Sequence, residues 1–194
     1  MKAPSVVLVL TLLGGCADGV ARTPAARHAA DDPRSPAALY AQGLDWARRG
    51  DMVRAEQYMA LAVRAGYPAE HALVAIVDAC LAASHVRAAL NYAEPYLRRT
   101  PTAWRVRLLA AAIHAALGHD SRARDELRRV IARAPQAAEA DYLLAVLLDR
   151  SFDDEGGTRA AFLAYLDRAP DGEHAPEALA WLEEHAPAEP GEAP

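Results

Sequence analysis

The feature that most constrains this chain is a period. Between Pro36 and Ala186, residue types and helical stripes recur about every 34 positions, a spacing typical of stacked helix pairs. Gly43 aligns with Val77, Ala111 and Ala145, and Ala55 with Ala89 and Ala123. The turn residue Gly50 aligns with Gly118. Tyr67 aligns with Pro101 and Pro135, and Pro170 follows one place late. The Gly and Pro matches weigh most, because each needs a special backbone state. A single helical hairpin cannot bury its apolar face alone, so the repeats are expected to stack on one another.

The first copy, Pro36 to Tyr67, reads as two amphipathic helices joined at Arg49-Gly50-Asp51. Leu39, Gly43 and Trp46 share a face of the first helix, and Ala55, Met59 and Ala62 a face of the second. Small residues at Gly43 and Ala55 allow close approach of the two backbones. Ser35 and Pro36 suit a helix start, and Gly66 a helix end. In the second copy, Leu73, Ile76, Val77 and Cys80 recur at helical spacing, Ser84-His85 makes the turn, and Pro95 is expected to kink or end the second helix. In the third, Trp104, Leu108, Ala111 and Ala115 precede the turn Gly118-His119-Asp120. In the fourth, the turn is expected to be enlarged to Ser151–Gly157. A last helix, about His174 to His185, is expected to cover the end of the stack.

Leu39, Gln42-Gly43, Trp46, Ala55, Met59 and, one place late, Pro68 resemble the W-x2-L-G-x2-Y…A-x3-F…P pattern of the tetratricopeptide repeat (TPR) family. The resemblance runs from about Pro36 to about Ala186. It implies an all-α fold: a right-handed α-solenoid of about four helical hairpins plus a C-terminal capping helix. The stretch from Ala161 to Leu182 also resembles a common periplasmic TPR ending, in which a proline turn leads into an Ala-rich final helix. In the family, the first helix of each pair lines a concave groove. Carried over by phase, the groove residues here are Tyr40, Leu44 and Arg48, then His71, Val74 and Asp78, then Arg105, Leu108 and Ala112, then Tyr142, Val146 and Asp149. That surface is mostly apolar, with two tyrosines as anchors, and suits an extended peptide or a partner helix. It lacks the Lys/Asn set with which some TPR domains clamp a carboxylate.

Residues 1–15 read as a signal peptide, with Lys2 as its charged end and an apolar stretch from Val6 to Leu13. That stretch is shorter than the roughly 20 residues a spanning helix needs. Its end, Leu13-Gly14-Gly15-Cys16, resembles the bacterial lipobox. The resemblance implies that Cys16 carries a diacylglycerol and becomes the acylated N-terminus. Buried acyl methylenes contribute about 0.8 kcal/mol each, so two or three chains anchor a protein firmly. Asp18 stands one place beyond the position that retains such proteins at the inner membrane, which favours the periplasmic side of the outer membrane. Residues 16–35 read as the lipidated cysteine and a flexible tether, residues 36–186 as the solenoid, and residues 187–194 as a disordered tail.

The net charge of −5 argues against a nucleic-acid binder, which needs a basic face. Two cysteines, Cys16 and Cys80, make no disulfide framework. There is no Walker A loop, no H-E-x-x-H and no G-x-S-x-G, and no nucleophile–base pair stands out. No cofactor is expected. Asp153, Asp154 and Glu155 read as a solvated turn, and His114 and His119, five apart across a helix end, are not expected to share a face or hold a metal. Cys80 is expected to be a buried small hydrophobe, and Tyr96 and Trp104 core residues. The chemistry left is recognition. Small TPR lipoproteins of this kind include pilotins of type IV pilus secretins and the TPR subunit of the outer-membrane β-barrel assembly machine, which are analogies of fold. The expectation is a lipid-anchored, non-catalytic adaptor or assembly factor of the cell envelope with a protein or peptide partner in its groove. An alternative is an accessory subunit that regulates a cell-wall or polysaccharide enzyme.

Overall fold

A computed structural model of the chain describes residues 32–186. The signal peptide, Cys16, most of the tether and the C-terminal tail of the sequence reading lie outside the described residues. The described residues form helices joined by short turns: α1 (Pro36–Arg48), α2 (Met52–Arg64), α3 (Ala69–Ala82), α4 (Val86–Arg99), α5 (Trp104–Ala116), α6 (Asp120–Arg133), α7 (Glu139–Phe152), α8 (Glu155–Arg168) and α9 (Ala175–Glu184). The pairs α1–α2, α3–α4, α5–α6 and α7–α8 pack as hairpins. Each hairpin packs on the next through its neighbouring helices, and α9 closes the series against α8. The architecture is an all-α solenoid.

Helix starts follow local chemistry. Ser35 Oγ accepts the Ala38 amide at 3.2 Å, and Asp51 Oδ1 accepts the Arg54 amide at 3.0 Å, each satisfying a donor the helix itself leaves free. The turns inside the first three hairpins share one device. The amides of Asp51, His85 and His119 donate back to the carbonyls of Trp46, Cys80 and His114, at 3.0, 2.7 and 2.9 Å. That closure is of the Schellman type and needs a residue with positive φ just before the donor. Gly50 and Gly118 supply it at φ 79° and 73°, whereas the second hairpin uses Ser84 at 59°.

One expectation is corrected and a second is narrowed. The fourth turn is not enlarged: α7 runs to Phe152, Asp153 turns the chain at φ 50°, and α8 already begins at Glu155. Asp154 Oδ1 accepts the Gly157 amide at 2.9 Å as the N-cap, so Gly156 and Gly157 are helical rather than loop. Pro95 does not end its helix either, since α4 continues to Arg99. The carbonyl that loses its donor belongs to Asn91, an exposed residue, where water can take over.

The core divides into two clusters. One gathers Met59, Ile76, Val77, Cys80, Leu90, Val106 and Ile113. The other gathers Ala111, Leu127, Val130, Leu147, Phe162 and Tyr165 with Ala178 of α9. Helix α5 supplies residues to both. Gly43 and Ala55 meet where expected: a Cβ added at Gly43 would stand 3.1 Å from the Met59 side chain, and Ala55 is fully buried. Cys80 is buried, as expected, whereas Tyr96 and Trp104, expected in the core, are only partly buried against the clusters.

Candidate binding groove

Stacking hairpins brings the first helix of each pair side by side. Along α1 and α3, reaching Arg105 at the start of α5, they enclose an open cavity of about 960 Å³. Its walls include Tyr40, Leu44 and Arg48 of α1 and His71, Val74 and Asp78 of α3. These residues and Arg105 are the first part of the phase-derived row. Each step between them is one repeat or one helical turn, which is why a single face collects them.

An aromatic corner closes one end. The Tyr40 and Tyr67 rings stack with centroids 4.1 Å apart and planes 14° apart, and His71 meets Tyr67 edge-on at 6.4 Å. Burial, with lesser contributions from Tyr67 and the nearby Asp78 charge, pushes the Tyr40 hydroxyl above its ordinary range. Asp78 keeps contact with solvent, yet the crowded wall around it raises its carboxyl above the usual carboxylate range. The two arginines are both exposed, and Asp45 is held more closely by Arg49, at 2.6 Å, than by Arg48. Arg48 faces Asp45 at 3.8 Å, and the Arg105 guanidinium lies 4.5 Å from the centroid of the Trp104 ring.

The second half of the row is different. Leu108 and Val146 are partly buried against the C-terminal core cluster, and Ala112 is half-buried. Tyr142 is buried under the end of the stack, which corrects its reading as an open anchor. Its ring stacks on His174 at 3.9 Å and 6°, and its hydroxyl donates to Glu177 Oε2 at 2.7 Å. Asp149 accepts the Trp181 indole N–H at 2.9 Å. Helix α9 therefore takes up the side chains that phase alone assigned to the groove.

Tyr67 belongs to the open groove and was not in the phase-derived row. It stands in the connection between α2 and α3, at a position that later copies fill with proline, so the helix-phase rule passes over it. Its aromatic character where the repeat elsewhere carries proline was the available signal.

A second polar cluster lies apart from the groove. The His114 and His119 rings do meet, with Nδ1 atoms 3.4 Å apart, against the expectation that they do not share a face. The backbone return from His119 to His114 brings them together. His114 is buried beside Glu94, 3.7 Å from its Nε2, and burial together with the Arg122 charge lowers its pKa. Nearby, Arg107 is buried and paired with Glu126, and also donates to the Pro101 carbonyl at 3.0 Å. Among the described residues, no three or more His, Cys, Asp or Glu side chains converge as a metal site. Among the same residues, no helix is long and apolar enough to cross a membrane.

The fold is that of tetratricopeptide-repeat proteins. Among solved structures it is similar to YrrB, a TPR protein with an unusual peptide-binding site. The TM-score is 0.58 at 18% identity, covering 77% of this chain and 76% of that one. A tetratricopeptide repeat protein from Parabacteroides merdae ATCC 43184 superposes with a TM-score of 0.63 at 19% identity, over 77% of this chain and 59% of its own. MamA gives 0.58 at 15% identity, over 77% and 88%. No protein-family model and no curated protein matches the sequence.

Proposed function

We propose that this chain is a lipid-anchored, non-catalytic adaptor of the cell envelope, held on a membrane through Cys16 and presenting its groove to a protein or peptide partner. The observation that carries the reading is the cavity of about 960 Å³ between α1, α3 and α5, whose walls combine an aromatic corner with a few charged groups. Its size and mixed lining are those of a recognition site. YrrB, of the same fold, has a peptide-binding site, which is consistent with that use. The lipobox-like Leu13-Gly14-Gly15-Cys16 supports the anchor, and the residues after it favour the periplasmic face of the outer membrane.

Two experiments test the two halves. A photo-crosslinking residue placed at Val74 of the full chain in cells is expected to capture one envelope protein. The same residue at Val53, exposed on α2 outside the cavity lining, is expected not to. Equal capture from both positions would move binding away from the groove. Cys16→Ala is expected to release the chain from the membrane fraction, and continued co-sedimentation in high salt overturns the anchor.

A further inference from the structure

The groove's charged groups differ in what already holds them. Arg48 lies along α1 toward Asp45, Arg105 covers the Trp104 ring, and His71 packs edge-on to Tyr67. Asp78 is the exception: among the described residues it forms no ion pair and no hydrogen bond through its side chain. It lines the same cavity as Val74 and Tyr40.

An unpaired carboxylate in an apolar wall ranks ligands by charge. A purely apolar segment laid over it would strip water from the carboxylate and return nothing. An acidic segment would add like-charge repulsion. A lysine or arginine side chain does the opposite. Its ammonium or guanidinium replaces the lost water, its methylene stem covers Leu44 and Val74, and the tyrosine rings attract its positive charge.

We infer that the groove selects partner segments bearing a basic side chain, seated on Asp78 beside the stacked Tyr40–Tyr67 pair. The inference rests on the groove being a binding site and names the chemistry of what it binds. Arg48, exposed at the groove's edge, and Arg105, over the Trp104 ring, keep their positive charges, so the preference is carried by direct contact with Asp78 and not by the net charge of the wall.

The test is selection of a phage-displayed random dodecapeptide library on the full chain purified in detergent. Parallel selections use Asp78→Asn, Asp78→Lys and Tyr67→Ser, each checked for an unchanged helical melting curve. Peptides recovered on the parent protein are expected to be enriched in Lys and Arg. Asp78→Asn should lose the enrichment, and Asp78→Lys should turn it toward Asp and Glu. Replacing the key lysine of a recovered peptide by norleucine should weaken binding roughly three- to tenfold, less at high salt. Peptides that need Tyr67 but show no basic enrichment overturn the inference and leave the groove reading standing. So does an Asp78→Lys selection with the parent's preference. Peptides that bind the Tyr67→Ser variant equally well, or no recovered peptides at all, overturn both.

Discussion

Gly43 and Ala55 set how closely α1 and α2 approach, and neither has room to grow. Ala55→Leu is expected to lower stability by about 1–3 kcal/mol through overpacking, read from a urea melt. Ser84 makes the complementary case. It holds φ 59° in a turn where the flanking hairpins use glycine, so Ser84→Gly is expected to stabilise by about 0.5–1 kcal/mol in the same assay. His114 gives the pH dependence. Its folded pKa is lowered by burial and by Arg122, while Glu94 and Glu126 oppose the shift and His119 adds to it. The unfolded chain therefore binds this proton more readily. The contribution is fully present above the unfolded value of about 6.5 and is lost as pH falls below that value toward the folded pKa. Thermal melts from pH 7.5 to 5 should show that loss, and His114→Phe should reduce it. The small residues at the helix crossing were legible in the sequence because they recur with the period. The His114–His119 contact was not, because helical phase separates the rings and only the non-helical backbone return reunites them.

The fourth hairpin shows how an element's ends escape a residue-by-residue reading. Gly156-Gly157 reads as a loop by composition, yet amides in the first helical turn have no intrahelical partner, so glycine is tolerated there once a cap is in place. The cap is Asp154. Asp154→Ala is expected to cost about 1 kcal/mol, measured by chemical denaturation. Helix α9 was legible as a cap from its Ala-rich pattern, but the side chains it would cover were not. Tyr142 and Asp149 fell on the phase of the groove, and only the docking of His174, Glu177 and Trp181 removes them from it. A chain lacking α9 and the tail is expected to lose about 3 kcal/mol as Tyr142, Phe162 and Tyr165 become exposed, seen as a lower thermal midpoint.

At the scale of the molecule, the period alone carried most of the architecture, because each repeat meets only its neighbours and local pattern nearly determines packing. The groove was legible in its first half, where α1 and α3 follow that pattern, and illegible where the stack ends. Two core clusters joined at α5 leave the N-terminal hairpins with a packing of their own. Cys80 lies inside that packing, 2% exposed, with burial holding its thiol above the usual range. A thiol in that position reacts only when the surrounding hairpins part. The rate at which a disulfide reagent consumes Cys80 in native buffer thus times the opening of the half of the molecule that carries the groove, and a ligand seated between α1 and α3 should slow that clock.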